Sequence, residues 1–387
     1  MAANDSSSDI GLTQSEISAV RAPLAQASLL PARVYDDPTI FRLERERIFG
    51  RSWLPLCHVS QIENPGEYVS RVLLGEPVIA MRSREGDIKV MSNVCRHRNT
   101  TLLRGSGVCK ARIVCPYHGW TYGLDGKLLA APFMDQAEGF ARREISLHDF
   151  RHEIWNGFLF VVLGGQAPPL AETLAALQPE IEPYHFEEME WFELRRATVD
   201  WNWKISLENF SEAYHQPWVH PSTAEHEFPA AMARYEDTNN SYSLFRLHQA
   251  KGQAFPLFAD AVEGIPDAFR RFVTVFNIYP YFHVLTDAAV PMILDFNILD
   301  AQRHEMVWSI LMPKGSHARP DIADEVAKFL DFIAPIHMED TDVCTGVSQG
   351  VKSKFTIPGR LSHMEKAVHQ FHNWWLDRML GSPISAL

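Results

Sequence analysis

The sequence predicts an α+β fold in two domains, a small antiparallel β domain followed by a larger domain of mixed helices and strands. The chain has 387 residues, which is more than one compact domain usually holds at about 150 residues per domain. Short β-rich runs separated by turn signals fill residues 53–163. After the linker Ala167-Pro168-Pro169, helical and strand patterns mix to the end of the chain.

The segment before the β domain divides into a tail and a helix. Residues 1 to about 30 lack a sustained apolar period, so we expect a flexible tail with a short helix. Pro38 opens a helical apolar pattern that Gly50 ends. We therefore expect an N-terminal tail and first helix over residues 1–50 that pack on the larger domain. The β domain then covers residues 51–164 and the larger domain covers residues 165–387.

Within these domains, alternating apolar residues predict strands, and 3.6-residue periods predict helices. In the β domain the predicted strands are Tyr68–Leu74, Val78–Met81, Ile88–Ser92, Arg112–Val114, Gly119–Tyr122 and Phe158–Val162. In the larger domain we predict strands over Val273–Ile278 and Pro291–Leu299, and helices over Leu170–Leu177, Ile322–Ile336 and His363–Arg378.

Composition and charge exclude several classes of protein. Lys+Arg 36 against Asp+Glu 48 gives 36 − 48 = −12, and without a dense basic run we expect no nucleic-acid partner. The longest apolar stretch, around residues 158–163, is far shorter than the roughly 20 residues of a spanning helix. The polar N-terminus lacks a signal pattern, so we expect a cytoplasmic protein that does not enter a membrane. Five cysteines argue against a disulfide framework.

Two cysteine–histidine pairs form the first candidate metal site. Cys95 and His97 are separated by one residue, Cys115 and His118 by two, and residues 98–114 lie between the pairs. Each pair can reach one metal or cluster from a tight loop, so two loops can hold it from two sides. A Cys2His2 set suits zinc, and it also suits a [2Fe–2S] cluster with cysteines on one iron and histidines on the other.

A second candidate site lies near residue 215. Glu208, Glu212 and His215 share one face of a predicted helix because they lie at i, i+4 and i+7. Pro217 should bend or end that helix, which would turn His215 and His220 towards one ion. Two histidines with a distant carboxylate are the ligand set of non-haem Fe(II) oxygenases.

These motifs resemble those of Rieske non-haem iron oxygenases, specifically the terminal oxygenase or alpha subunit. The matching stretches are Cys95-Arg-His97, Cys115-Pro-Tyr-His118-Gly-Trp-Thr-Tyr122, Asn202-Trp-Lys and Glu208-Asn-Phe-Ser-Glu-Ala-Tyr-His215. The resemblance implies a Rieske domain and a helix-grip-like catalytic domain with an antiparallel sheet. One departure is Asn99, where the family usually has glycine. Asparagine tolerates a left-handed backbone, so we expect the turn to survive.

The resemblance also implies the ligands. Cys95 and Cys115 would hold one iron of a [2Fe–2S] cluster, and His97 and His118 the other. His215 and His220 would hold the mononuclear Fe(II). The third ligand would be an acidic residue of a C-terminal helix, for which Asp340 is our choice and Glu339 and Asp342 are the alternatives. Substrate contacts are predicted for Phe210, Trp218 and His283.

Glu212 occupies the position at which many ring-hydroxylating dioxygenases have an aspartate that joins two subunits. The resemblance implies an electron route from His118 of one chain through Glu212 to His215 of the next, and therefore a homotrimer. With glutamate at this position, the chain resembles the choline, glycine betaine and carnitine monooxygenase group.

The implied function is that of a terminal oxygenase in a multicomponent Rieske monooxygenase. It would use O2 and two electrons to hydroxylate a small organic substrate, with oxidative N- or O-dealkylation as one outcome. No flavin or nicotinamide motif is evident, so electrons from NAD(P)H would arrive through a separate ferredoxin, ferredoxin reductase or both. The alternatives are a cis-dihydroxylating aromatic ring dioxygenase, a Rieske electron-transfer protein without oxygenase activity, and a zinc-stapled binding module.

Overall fold

A computed structural model describes residues 10–381 except 166, 240, 250–263 and 287–289. The chain separates into two compact units, one of residues Trp53–Leu170 and one that joins Met1–Ser52 to Ala171–Leu387. The predicted boundaries at residues 50 and 164 lie close to these limits. In the described part of the chain, no helix combines the length and apolar character needed to cross a membrane.

The smaller unit is built from short antiparallel strands in three sheets of order β1-β10-β9, β4-β3-β2-β5 and β6-β7-β8. Its strands are β1 Leu54–His58, β2 Glu67–Leu73, β3 Glu76–Arg82, β4 Ile88–Ser92, β5 Ser106–Val108, β6 Ile113–Val114, β7 Thr121–Tyr122, β8 Leu128–Ala130, β9 Arg151–Trp155 and β10 Phe158–Val162. The predicted antiparallel β domain is confirmed. Its hairpin between β2 and β3 uses two positive-φ residues, Leu74 and Gly75, as a two-residue turn between twisted strands requires.

The larger unit contains one antiparallel sheet of seven strands in the order β11-β17-β16-β15-β14-β13-β12. These strands are β11 Met189–Val199, β12 Arg234–Tyr235, β13 Tyr242–His248, β14 Phe272–Ile278, β15 Phe282–Thr286, β16 Met292–Asp300 and β17 Arg303–Pro313. Most of their residues are buried, as in the run Met292–Ile298 of β16. The strands predicted near residues 273 and 291 are confirmed.

Nine helices lie in the described part of this unit, alongside short 3-10 turns. They are α1 Gln14–Arg21, α2 Pro38–Arg47, α3 Leu170–Thr173 (whose first residue belongs to the smaller unit), α4 Gln178–Ile181, α5 Trp203–Asn209, α6 Gln216–Val219, α7 Ala224–Glu227, α8 Ile322–Gly350 and α9 Lys366–Leu380. The ring of His337 in α8 lies 4.6 Å from that of Trp308 in β17, so the long helix packs against the sheet. This arrangement confirms the predicted helix-grip-like domain.

The short helix predicted within residues 1–30 is present as α1, but the flexibility predicted for residues 10–30 is wrong. Thr13 and Glu16 form a capping box at the start of α1, and Ile17 and Val20 are buried. Arg21 at the end of α1 bonds to Asp377 of α9 at 2.6 Å. The predicted tail residues 1–9 lie outside the described residues.

Three predicted helix ends are also wrong, and the first is that of the helix predicted over Leu170–Leu177, which ends at Thr173. The helix that carries Glu208 ends at Asn209, well before Pro217. Ser211 Oγ donates to the carbonyl of Leu207, and the Glu212 carboxylate accepts from the N–H of His215. These side-chain bonds replace the backbone hydrogen bonds that would continue the helix. Pro217 instead lies in the first turn of α6, where it removes no intrahelical bond. The C-terminal helix predicted to end at Ile336 continues through Pro335 to Gly350, since its later turns carry buried residues.

A buried ion pair ties α5 to α2. Lys204 Nζ lies 2.6 Å from Glu44 Oε1, and neither side chain is exposed to solvent. The same carboxylate accepts hydrogen bonds from Trp203 Nε1 at 3.1 Å and Trp375 Nε1 at 2.7 Å. Burial lowers the pKa of Lys204, although the charge of Glu44 opposes this. Glu44 therefore joins three elements of the larger unit.

Lys204→Met is expected to lower the free energy of unfolding by about 3–5 kcal/mol, because the carboxylate of Glu44 stays buried without a cation. Urea denaturation followed by tryptophan fluorescence measures this loss. Arg42→Met, in the same helix as Glu44, is the control, since its partner Glu46 is well exposed and such pairs contribute about 0–1 kcal/mol. Equal losses in the two variants would show that the buried pair has no special role.

Candidate metal centres

The two cysteine–histidine loops of the smaller unit have the same backbone geometry. In each loop the cysteine N–H donates to the carbonyl five residues on, and the cysteine carbonyl accepts from the N–H four residues on. The bonds are Cys95 N to Thr100 O (2.9 Å), Asn99 N to Cys95 O (3.0 Å), Cys115 N to Trp120 O (2.8 Å) and Gly119 N to Cys115 O (3.1 Å). Asn99 has φ 57 and Gly119 has φ 69, so the expected left-handed asparagine is confirmed.

The side chains of these loops fit an iron–sulfur cluster. Cys95 and Cys115 are buried at 1% and 3% exposure, and both are free thiols. The rings of His97 and His118 lie 4.6 Å apart, and His118 is exposed. His97 Nδ1 is buried with no hydrogen-bond partner in the described structure. A buried ring nitrogen without a partner is costly, and coordination to a metal would satisfy it.

Tyr122 supports the first loop through its hydroxyl. This oxygen accepts the Arg96 N–H at 3.0 Å and lies 3.3 Å from Cys95 Sγ. Because the oxygen already accepts from the backbone, its own hydrogen is free to point at the sulfur. Hydrogen bonds to ligand sulfurs stabilise the more negative, reduced state of such clusters.

Tyr122→Phe is therefore expected to lower the reduction potential of the cluster while leaving its absorption spectrum in place. Protein-film voltammetry of the purified protein measures the potential. Tyr68→Phe is the control, because it removes a hydroxyl in the same domain that bonds to the carbonyl of Arg104. An unchanged potential in Tyr122→Phe would refute the proposed hydrogen bond to sulfur.

The second centre brings together His215, His220 and Asp340, whose candidate ligand atoms all lie within 4.8 Å of one another. Asp340 Oδ1 lies 3.0 Å from His220 Nε2 and 3.5 Å from His215 Nε2. The two rings are 5.1 Å apart and inclined by 71°. His215 precedes the short helix α6 and His220 follows it, while Asp340 comes from the buried face of α8. The short helix thus turns both imidazoles towards one carboxylate.

Two glutamates orient these histidines from behind. His215 Nδ1 lies 2.6 Å from Glu212 Oε1, and His220 Nδ1 lies 2.7 Å from Glu339 Oε2. Each bond fixes the proton on Nδ1 and leaves Nε2 free to face the centre, as in most metal-binding histidines. Asn209 Nδ2 donates to Asp340 Oδ1 at 2.9 Å and so orients the carboxylate.

The electrostatics of the second centre suit a divalent cation. Burial alone lowers the pKa of His215, but hydrogen bonds to Asp340 and Glu212 raise it to about 10. Burial likewise raises the pKa of Asp340, and its bonds to His215 and His220 outweigh this and hold the pKa well below its usual range. In the protein alone, positive histidines therefore balance the carboxylates. A metal cation would take over that balance by displacing protons from the nitrogens.

An apolar cavity of roughly 150 Å³ adjoins this centre. It is lined mainly by phenylalanines and branched aliphatic side chains from α8 and the strands β13–β16. The predicted substrate residues Phe210 and His283 lie on its wall. The prediction for Trp218 is wrong, because that side chain is 83% exposed on the outward face of α6 and is not part of the lining.

The structure separates the three candidate carboxylates of α8. Asp340 approaches both histidines, Glu339 bonds to the far nitrogen of His220, and Asp342 is exposed. Sequence reasoning missed the orienting roles of Asn209 and Glu339. Asn209 lies inside the Glu208-Asn-Phe motif, so its position in the sequence pointed to a role at the site. Nothing in the sequence shows that Glu339 orients a histidine instead of binding the metal itself.

Comparisons with known proteins agree with this geometry. The Rieske [2Fe-2S] domain family matches residues 52–146, and the ring hydroxylating alpha subunit (catalytic domain) family matches residues 184–381. The glycine betaine monooxygenase oxygenase subunit of Chromohalobacter salexigens is 35% identical over 211 residues, which are 54% of this chain and 46% of that protein. The carnitine monooxygenase oxygenase subunit of Escherichia coli K12 is 27% identical over 90% of this chain and 93% of its own length.

A solved structure shares the fold as well. The quaternary ammonium Rieske monooxygenase CntA, crystallised with an inhibitor, superposes with a TM-score of 0.80 at 21% identity, covering 94% of this chain and 98% of that one. The fold and the two family matches define an O2-dependent oxidoreductase of the Rieske non-haem iron class. This chain belongs to the ring-hydroxylating alpha subunit family, and since it combines that catalytic domain with a Rieske domain, it is the terminal oxygenase component of such a system.

Proposed function

We propose that this chain is the oxygenase of a Rieske monooxygenase that hydroxylates a C–H bond next to a heteroatom. The observation that carries the proposal is the convergence of His215, His220 and Asp340 beside an apolar cavity, in a chain that also has a Rieske domain. Two histidines and one carboxylate leave coordination positions open for O2. We assign residues 51–164 to the Rieske domain and residues 165–387 to the catalytic domain.

The proposed ligands divide between these domains. Cys95, Cys115, His97 and His118 would hold the [2Fe–2S] cluster, and His215, His220 and Asp340 would hold the mononuclear iron. When bound, the cluster supplies electrons one at a time and the iron supplies the site of O2 activation. Glu212 and Glu339 keep the histidine rings oriented, Asn209 keeps the Asp340 carboxylate oriented, and the apolar wall keeps water away from the reacting carbon.

Electron delivery is proposed to use Glu212. Its carboxylate bonds to His215 Nδ1 through Oε1, and a carboxylate can accept from a second imidazole as well. We propose that this second imidazole is His118 of a neighbouring subunit, which requires a closed ring of subunits such as a homotrimer. The exposed position of His118 supports the proposal. Electrons would come from NAD(P)H through a ferredoxin, a ferredoxin reductase or both.

The proposed reaction balances as a monooxygenation. One atom of O2 enters the C–H bond, and the other leaves as water after uptake of two electrons and two protons. If the carbon is attached to nitrogen or oxygen, the resulting hemiaminal or hemiacetal breaks its carbon–heteroatom bond. The products are then an aldehyde and the dealkylated amine or alcohol. The named activities of the glycine betaine and carnitine relatives support monooxygenation in this chain.

A product screen tests the reaction. The protein, reconstituted with iron, a ferredoxin and its reductase, is incubated with N-alkyl, O-alkyl and aromatic compounds. We expect aldehyde and dealkylated product in a 1:1 ratio, and no product from His215→Ala. Formation of a cis-dihydrodiol would favour the ring dioxygenase instead.

Metal and sulfide content tests the remaining alternatives. The purified protein should contain iron and acid-labile sulfide and show the absorption of a Rieske cluster. A colourless protein with zinc and no sulfide would support a zinc-stapled binding module. A normal cluster without oxygenation of any compound, in a protein with full mononuclear iron, would support an electron-transfer protein.

A further inference from the structure

The wall of the cavity beside His215, His220 and Asp340 carries little charge. Among the described residues, its lining contains no lysine, arginine, tryptophan or tyrosine. The acidic side chains on the lining, apart from the ligand Asp340, are Glu212, which bonds to His215, and Glu227, which is 44% exposed and pairs with His226. The interior therefore offers apolar surface and neutral polar groups.

Such a wall is poorly matched to a charged substrate. A quaternary ammonium group is bound best by tryptophan and tyrosine faces, and the described wall offers only phenylalanine rings. A carboxylate, as in a betaine, needs a buried cation or several N–H donors, and the described lining has no arginine or lysine. Among the described lining residues, a buried carboxylate would find no cation side chain, and the carboxylates that an ammonium group could approach already bond to histidines.

His283 places a neutral polar group on this wall. It lies on β15 opposite Asn277 of β14, is 1% exposed and lines the cavity. Its Nδ1 bonds to Asn277 Oδ1. Gln216 and His337 also line the cavity, and both are uncharged in this setting, since burial lowers the pKa of His337 to about 4.

A chain of hydrogen bonds decides which nitrogen of His283 carries the proton. Ser211 Oγ donates to the carbonyl of Leu207 at 2.6 Å, so its oxygen can accept. Asn277 Nδ2 donates to Ser211 Oγ at 2.9 Å and approaches Ser243 Oγ at 3.3 Å. The amide oxygen of Asn277 must therefore be the atom that faces His283, and an oxygen can only accept. The proton of His283 lies on Nδ1.

It follows that Nε2 of His283 bears a lone pair and no hydrogen. No described side chain bonds to this nitrogen. Burial lowers the pKa of His283 to about 3, so the ring stays neutral at ordinary pH. A buried acceptor of this kind is satisfied by an N–H or O–H group of a ligand and rejects one that lacks it.

We infer that the substrate is an uncharged, mainly apolar molecule whose N–H or O–H group donates to His283 Nε2. This inference rests on the proposed function, because it names the substrate class of the same site. It separates this chain from its glycine betaine and carnitine relatives in what it binds, while the chemistry at the iron stays the same.

Binding of neutral and charged isosteres tests the charge preference without turnover. Choline and 3,3-dimethylbutan-1-ol have the same shape and differ in one charge. Isothermal titration calorimetry of the holoenzyme should give at least tenfold tighter binding for the neutral alcohol. Equal or tighter binding of choline, or no binding of the alcohol, would overturn the inference.

A second pair of probes tests His283. N-Methylaniline has an N–H group that N,N-dimethylaniline lacks, and we expect the wild-type protein to bind the former about tenfold more tightly. His283→Asn keeps a donor for Asn277 and removes the acceptor at the Nε2 position, so the preference should vanish. His283→Gln restores an acceptor at the Nε2 position and should therefore keep the preference for N-methylaniline. A preference that survives in His283→Asn would refute the role of His283.

These measurements separate two kinds of failure. If the binding preferences hold but no bound compound is oxygenated, the proposed function fails while the shape and polarity of the cavity stand. If oxygenation occurs but the preferences are reversed, the inference on the substrate class fails alone.

Discussion

His215→Ala is expected to abolish oxygenation while leaving the Rieske cluster unchanged. His215 is one of three candidate ligands whose atoms lie within 4.8 Å, and its Nε2 faces the buried carboxylate of Asp340. Its loss leaves two ligands and an unbalanced buried carboxylate. Loss of a residue that only orients a ligand costs up to about 100-fold in activity, so we expect the loss of a ligand to cost more than that. The variant should also lack about one iron per chain.

The measurement combines product formation, iron content and the visible spectrum of the cluster. His226→Ala serves as the matched control, because His226 lies in the following helix and its side chain is 75% exposed. It should keep both iron and activity. Full turnover by His215→Ala would show that the mononuclear site is elsewhere.

Glu212→Gln is expected to slow electron transfer to the mononuclear site about 10- to 100-fold. The glutamine oxygen can still accept from His215 Nδ1, so the ring stays oriented. The charge and the second acceptor oxygen are lost, and with them the proposed bond to His118 of a neighbouring subunit. Rapid mixing of the reduced protein with substrate and O2 gives the rate at which the cluster is reoxidised.

Glu339→Gln makes the same chemical change behind the other histidine, since Glu339 bonds to His220 Nδ1. Both variants should bind iron more weakly, and excess Fe(II) should restore the rate in Glu339→Gln. We expect no such recovery in Glu212→Gln. Recovery in both variants would reduce Glu212 to an orienting role and remove the main support for electron transfer between subunits.

The features of the fold that depend on local sequence were predictable. The cysteine–histidine loops follow from short spacings and one left-handed residue each, so the residues alone revealed them. Six of the ten strands of the β domain were predicted, because alternating residues and turn pairs are local signals. The end of α5 was not predictable in this way, because Glu212 ends it with hydrogen bonds that compete with the helical ladder.

Features that depend on distant contacts were harder to predict. The choice of Asp340 over its neighbours depends on which face of α8 is buried, and a resemblance to known oxygenases was needed to look there at all. The pair Asn277 and His283 depends on strand register, which sequence patterns do not specify. Trp218 was misplaced because an aromatic residue between two histidines suggests a pocket, whereas a one-turn helix presents it to solvent.

The apolar wall adds a distinction within the family. The glycine betaine and carnitine monooxygenase relatives are named for charged substrates. The side chains that line the cavity come largely from strands β13–β16 and helix α8, whereas two of the three candidate metal ligands lie beside the short helix α6. Substrate class is therefore better inferred from this wall than from the motifs around His215. The expected cytoplasmic location stays a prediction.

Labelling with ¹⁸O2 distinguishes monooxygenation by this chain from dioxygenation. The reconstituted oxygenase is supplied with reductant and a neutral substrate that it binds, and the organic products and water are analysed by mass spectrometry, with the aldehyde trapped as it forms. We expect one labelled atom in the organic products and one in water for each pair of electrons consumed. Two labelled atoms in one organic product would contradict monooxygenation and identify a dioxygenase.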